Sequence, residues 1–302
     1  MSFSCTSATV RDQSSLLTSS AASSAPSRSA VRRVAVVTHG KAERVAAGLT
    51  ELERTARHAG VELLYSEEEA EKLARTTTPG GALEADVAVV LGGDGTMLRA
   101  LQRFLGTGVP VIGVNFGRVG FLASIEPERI AEDLARVFAG EFVVAELPTI
   151  EVDVDGVRHV GVNDVVVHSS IVGRMIELAW SLDAEDLGAL ACDGLICCTP
   201  SGSTGYNLSN GGPVLVWGLE AVAVTFVAPH SLDARPLVVP RERDIAIDNR
   251  TPDVPAAVIV DGHVVGEIPS GRAVVRLGNE RSMLASLPEV TFFRRYRDTF
   301  GQ

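Results

Sequence analysis

The chain is poor in cysteine: Cys5, Cys192, Cys197 and Cys198 are the only four in 302 residues. None stands at the C-x2-C spacing of a zinc site, and the adjacent Cys197 and Cys198 are badly placed to bridge each other. They read as buried strand thiols in a reducing cytosol, and no protein-ligated metal site is expected. No apolar run approaches the ~20 residues that a membrane span needs. Positive charge is also short, with 27 Lys and Arg against 38 Asp and Glu and a net charge of −11. Such a surface repels nucleic acid and anionic lipid, which excludes both as expected partners. It repels an anionic nucleotide at long range too. Phosphate binding would therefore rest on local backbone N–H groups, a few basic side chains or a metal ion.

Residues 1–30 lack acids, Asp12 excepted, and are dominated by Ser, Ala and Thr. With no periodicity and few large apolar side chains, they cannot offset their ordering entropy, and a disordered tail is expected. The segment is loosely similar to an organelle transit peptide.

From Val31 the texture is globular. Val31–Val37 is a short apolar run ending in Thr38-His39-Gly40, a buried strand and its turn. Lys41–His58 has helical spacing, with Gly60 where a C-terminal cap belongs. Val61–Tyr65, Asp86–Leu91 and Val109–Val114 read as strands, Thr96–Leu105 as a helix, and Pro127 opens another helix that ends near Gly140. This alternation predicts a Rossmann-like α/β domain over 31–145 with a mostly parallel sheet. Beyond it strands follow one another. Asp155-Gly156 joins Ile150–Val154 to Val157–Val162, and Asp261-Gly262 joins Val258–Val260 to His263–Gly266, both strong hairpin signals. Met175–Leu182, Gly194–Thr199, Val222–Ala228 and Ala273–Leu277 are further strands. A β-rich domain is expected over 146–290, with the aromatic and basic segment 291–302 packing back.

Two familiar phosphate-binding signatures are missing: there is no G-x-x-x-x-G-K-[ST] loop and no G-x-G-x-x-G after a strand. In their place Gly92-Gly93-Asp94-Gly95-Thr96 links a strand to a helix. Its glycines let a phosphate approach the main chain, and the helix N-terminus supplies N–H groups and partial positive charge. Asp94 would repel phosphate unless it bound Mg²⁺ or accepted a proton from a nucleophile, and both roles belong to phosphoryl transfer. The plainer alternative is a tight turn with Asp94 as a helix cap. Asn115 and Phe116 follow a strand at the end where open α/β sheets bind ligands. The densest stretch is Asp193–Pro213, where Ser201, Ser203, Thr204, Asn207 and Ser209 offer hydroxyl and amide groups and Tyr206 a ring face. His39, His58, His159 and His168 read as satisfied or exposed side chains, His39 being the one near the presumed cleft.

The G-G-D-G-T turn is shared by phosphofructokinases and by diacylglycerol- and sphingosine-type lipid kinases. The string D-G-L-I-x-x-T-P-x-G-S-T-x-Y-x-L-S-x-G-G-P from Asp193, N-D-V-V-V at 163–167, Arg174-Met175-Ile176-Glu177-Leu178 and Ala228–Leu237 are more specific, and with them the chain resembles the NAD kinases from about Val34 to Arg295. The resemblance implies phosphorylation of the adenosine-ribose 2′-hydroxyl of NAD to NADP, with ATP or polyphosphate and Mg²⁺, by a cytoplasmic homodimer or homotetramer whose partners are small nucleotides. A related lipid or sugar kinase and a non-catalytic NAD(P)-binding sensor are the alternatives. It implies that Asp94 is the general base, with Gly92, Gly93, Gly95, Thr96 and Arg99 around it. Asn163 and Asp164, the latter one methylene shorter than the usual Glu, hold the acceptor. Arg174, Asp193, Thr204, Gly205, Tyr206, Asn207, Leu208 and Ser209 fall on other acceptor-binding positions. Ala191, where a basic residue is common, and His263, where Gln is common, depart from the pattern at positions that bear on NAD against NADH.

Overall fold

The computed structural model describes residues 30–78, 81–117, 120–269 and 271–301. All of the expected tail but Ala30 lies outside them.

In the N-terminal part, strands β1 (Arg33–Thr38), β2 (Glu62–Leu64), β3 (Val87–Gly92) and β4 (Val111–Asn115) run parallel in the order β2-β1-β3-β4. The central residues of β1, β3 and β4 are apolar because both faces are covered. Val34, Val36, Val87 and Val89 face a core shared with α1 (Ala46–Ala59), while Ala35, Val37, Ala88 and Val90 face one shared with α3 (Asp94–Arg103). Gly60 ends α1 in the left-handed conformation, φ 68°. The helix expected from Lys41 starts only at Ala46, after a 3-10 turn over Ala42–Arg44; Val45 at its N-cap makes no side-chain cap bond. A helix not foreseen, α2 (Glu67–Leu73), follows Ser66, whose hydroxyl caps Glu69 N–H, and has three acids in its first turn. That combination is a helix-start signal in the sequence. Helix α4 (Ile130–Phe138) packs beside α1.

The C-terminal part is antiparallel and β-rich. It comprises β5 (Val143–Val154), β6 (Val157–Gly161), β7 (Asp164–Ser169), β8 (Ile176–Leu182), β9 (Glu185–Cys192), β10 (Gly194–Cys198), β11 (Ala221–Val227), β12 (Leu237–Pro240), β13 (Ile245–Asn249), β14 (Ala256–Val260), β15 (His263–Ile268) and β16 (Arg272–Ser286), with the one-turn α5 (Tyr206–Ser209) and the C-terminal α6 (Phe292–Phe300). One sheet has the order β12-β11-β10-β7-β14-β15. It packs face to face on β5, β8, β13 and β16 through a core that includes Val165, Val167, Leu195, Cys197, Val258, Ile150, Ile176 and Val275. Both Asp-Gly pairs form hairpins with positive φ at each turn residue: Asp155 53° and Gly156 80°, Asp261 48° and Gly262 84°. These are the angles of a type I′ turn, which matches the strand twist.

The two parts share a sheet. β16, foreseen only as Ala273–Leu277, runs for 15 residues. It pairs antiparallel with β5 along its length, with a register shift between Leu277 and Arg281, and meets β4 in parallel at Leu284–Val111 and β13 at its other end. The polar stretch Gly278–Arg281 hid this continuity from the hydrophobic pattern. The described thiols Cys192, Cys197 and Cys198 are buried and free. Burial pushes Cys192 up to about 12 and the other two well above the ordinary thiol value, so all three stay protonated. No described helix is long and apolar enough to cross a membrane.

Candidate active site

Helix α3 separates two clefts. The first, about 630 Å³, is lined by His39, Gly40, Lys41 and Arg44 after β1, by Gly93, Gly95, Thr96 and Arg99 at the start of α3, and by Phe116 and Gly117 after β4. The second, about 530 Å³, is lined by Leu98 of α3, Asp164, Val166 and His168 of β7, Tyr206 of α5, and Ile259, Asp261 and Gly262 at the β14–β15 hairpin. Residues four apart share a helix face. Gly95 and Arg99 therefore form the stripe toward the first cleft. Asp94, Leu98 and Gln102 form the neighbouring stripe, along which Leu98 lines the second cleft and Gln102 Nε2 donates to Asp261 Oδ2 at 2.6 Å. Asp94 stands at the common end of the two stripes, half-buried, rather than on either wall.

The Asp94 carboxylate is held by main chain. Oδ2 accepts Phe121 N–H at 2.5 Å, and Oδ1 accepts Leu122 N–H at 3.0 Å and Ala123 N–H at 3.4 Å. This approach needs Gly120, since a Cβ there would lie 2.3 Å from Asp94 Oδ1. A carboxylate offers about four lone-pair sites, so three donors leave room for one more proton partner.

The first cleft is cationic and stiffly backed. The buried Glu69 carboxylate accepts Thr38 N–H at 3.0 Å, Thr38 Oγ at 2.6 Å and Lys72 Nζ at 2.9 Å. Thr38 O in turn accepts Arg99 Nη2 at 3.1 Å and Lys72 Nζ at 3.2 Å. This ties the β1 turn, α2 and α3 into one wall. Asn115 Oδ1 accepts Gly117 N–H at 3.0 Å, and Phe116 lies so close over α1 that a Cβ on Gly48 would sit 2.2 Å from its ring. The second cleft is built on carboxylates. Asp261 accepts N–H from Val162, Asn163 and Asp164 at 2.6, 2.7 and 3.0 Å as well as Gln102. Burial, and then repulsion from the Asp261 carboxylate, push the Asp164 carboxyl up to about 7.

Two family models match the chain: the ATP-NAD kinase N-terminal domain over residues 28–142 and the ATP-NAD kinase C-terminal domain over 162–284. The chain belongs to the NAD kinase family. It is 36% identical over 249 residues to the NAD kinase of Gemmatimonas aurantiaca, covering 80% of this chain and 83% of that protein. It is 37% identical over 225 residues to that of Heliobacterium modesticaldum, covering 72% and 80%. An NAD kinase from Archaeoglobus fulgidus in complex with ATP superposes with a TM-score of 0.69 at 28% identity, over 89% of this chain and 97% of that one. A yeast NADH kinase complexed with NADH has the same fold, with a TM-score of 0.76 at 21% identity over 91% and 89% of the two chains.

Against the site expected of an NAD kinase, the structure brings Gly93, Gly95, Thr96, Arg99 and Phe116 to the first cleft and Asp164 and Tyr206 to the second, while Gly92, Asp94 and Asn115 line neither. Asn163 sits beside Asp164, its Oδ1 accepting Ser201 Oγ at 3.1 Å. The Asp193–Pro213 loop differs from the expectation, because most of its small polar groups hold the loop itself. Asn207 is fully buried: its Nδ2 donates to Ser203 O and Pro213 O at 3.0 Å each, and its Oδ1 accepts Thr225 Oγ1 at 2.7 Å. Thr204, Gly205, Leu208, Ser209, Asp193, Ala191, Arg174 and His263 line neither cleft. Arg174, Ser209 and His263 are exposed, and Ala191 O accepts His230 N–H at 2.8 Å. Lys41 and Arg44 in the first cleft and Asp261 in the second are lining residues that sequence reasoning passed over, and His39, read there as the histidine near the presumed cleft, lines the first. Asp261 carried a signal, but one already spent on the hairpin turn.

Proposed function

We propose that this NAD kinase family member transfers the terminal phosphoryl group of ATP, or of polyphosphate, to the adenosine-ribose 2′-hydroxyl of NAD across the N-terminus of α3. The observation that carries the reading is Asp94 at the N-terminus of α3, the helix whose neighbouring faces line a cationic, glycine-lined cleft and a carboxylate-lined cleft. Donor phosphates suit the first, where Gly93 and Gly95 leave the helix N-terminus approachable and Lys41, Arg44 and Arg99 supply positive charge. The ATP complex of the Archaeoglobus relative supports a nucleoside triphosphate as a ligand. The adenosine part of NAD suits the second, with Asp164 accepting hydrogen bonds from ribose or base and Tyr206 offering a ring. Asp94, fixed by three N–H donors, accepts the 2′-hydroxyl proton as the bond to phosphorus forms.

Among the described residues no group of three or more His, Cys, Asp or Glu gathers as a metal cage. Mg²⁺ bound with the donor would supply neutralisation of phosphate charge, and Asp94 is the carboxylate of this turn that would help hold it. Three buried free thiols suit a cytoplasmic protein, and a homodimer or homotetramer belongs to the same reading. The test is NADP formation from NAD, ATP and Mg²⁺. Asp94→Asn is expected to lower kcat by about 10²–10⁴ with the fold intact. Unchanged turnover would reject the role, and NAD binding without product in the parent protein would favour a sensor.

A further inference from the structure

Beneath the turn that holds Asp94 lies a buried cation. Arg295 of α6 is only 6% exposed. Its Nη1 donates to the carbonyls of Phe121, Leu122 and Ala123 at 2.9, 3.0 and 3.1 Å. These are the residues whose N–H groups bind Asp94. A peptide unit joins the carbonyl of one residue to the N–H of the next. The units Phe121–Leu122 and Leu122–Ala123 therefore each carry Arg295 on their oxygen and Asp94 Oδ1 on their nitrogen. Two peptide dipoles are aligned between a guanidinium and a carboxylate, an arrangement in which each hydrogen bond polarises the next.

Stability alone accounts poorly for this residue. Arg295 Nε and Nη2 meet no hydrogen-bond partner among the described residues. Burial holds the guanidinium down at about 10, with Asp94 the one opposing influence. A buried cation with two unmet donor nitrogens costs free energy that an apolar side chain would not. The surroundings are already aromatic: Phe121 packs against Phe292, Phe300 and Trp217 at ring separations of 5.3, 6.1 and 5.7 Å, and the guanidinium lies 5.3 Å from the Trp217 ring centre.

We infer that Arg295 is a positioning residue for phosphoryl transfer, acting through the 121–123 peptides to fix the orientation of the Asp94 carboxylate. The C-terminal helix is thereby part of the catalytic apparatus without touching either substrate. The inference rests on Asp94 being the base, and the experiment separates the two.

Arg295→Met, Asp94→Asn and the double variant are compared in steady-state NADP formation, with thermal unfolding as the check on folding. Arg295→Met is expected to lower kcat by up to about 10²-fold with KM for NAD and ATP retained. Arg295→Lys, which keeps the charge, recovers part of the loss. In the Asp94→Asn background the same Arg295→Met change has little further effect. Should Arg295→Met fail to fold, Arg295→Gln, which keeps a donor but no charge, is read by the same measurements. Wild-type kcat in a folded Arg295→Met or Arg295→Gln, or an equal loss with and without Asp94, overturns the inference. If Asp94→Asn itself turns over normally, the failure lies in the assignment of the base.

Discussion

Asp164 offers a measurable conflict between stability and binding. Its carboxyl is raised from an ordinary 3.8 to about 7 by burial and by the Asp261 carboxylate. An acid whose value is higher in the folded protein than in the unfolded chain holds its proton more tightly when folded. Between pH 3.8 and 7 the native state thus binds more protons than the unfolded state, and stability falls as pH rises through that window. The full penalty is present above about pH 7 and absent below about pH 4. About three units at 1.36 kcal/mol each gives about 4 kcal/mol. Asp164→Asn removes the charge while keeping the two main-chain bonds, Asp164 N–H to Asp261 Oδ1 at 3.0 Å and Asp261 N–H to Asp164 O at 3.0 Å. Housing the new amide costs about 1 kcal/mol. The variant is therefore expected to be more stable than the parent by about 2–4 kcal/mol at pH 8 and no more stable at about pH 4, by urea unfolding without ligand. Its affinity for NAD should fall at the same time, since a charged acceptor is lost from the cleft. A stability difference that stays constant from pH 4 to pH 8, or a variant weaker than the parent at pH 8, would refute the reasoning.

Gly120→Ala places a methyl 2.3 Å from Asp94 Oδ1, so the carboxylate must shift; kcat for NADP formation should fall by up to about 10²-fold, and full activity would mean that the Asp94–turn contact is dispensable. Asn207→Ala removes three buried hydrogen bonds and should lower stability by about 3–5 kcal/mol while leaving KM for NAD unchanged. A raised KM at normal stability would return Asn207 to a ligand-binding role.

Much of the site was legible because its parts are local. The strand-to-helix turn at 92–96 announces itself through its glycines, and the Asp94 carboxylate is conspicuous beside an anion-binding helix end. The Asp-Gly hairpins follow from the angles that only a few residue types tolerate. What stayed hidden is long-range. Asp261 looks like a turn residue until the fold brings Val162, Asn163 and Asp164 to its carboxylate, and Arg295 looks like one of several arginines on a terminal helix. The polar groups of Asp193–Pro213 suggested ligand contacts because composition cannot distinguish a hydroxyl that meets a sugar from one that closes its own loop.

Periodicity, turn chemistry and glycine placement act over a few residues, so the order of strands and helices, both hairpins and the glycine turn at 92–96 could be read along the chain. Which strand lies beside which, the 15-residue strand that carries one sheet through both halves, and the cation behind the Asp94 turn arise only when distant segments meet, as Phe121 and Arg295 do across 174 residues. Those choices depend on burial and on hydrogen bonds satisfied across space, and no short stretch of sequence contains both partners.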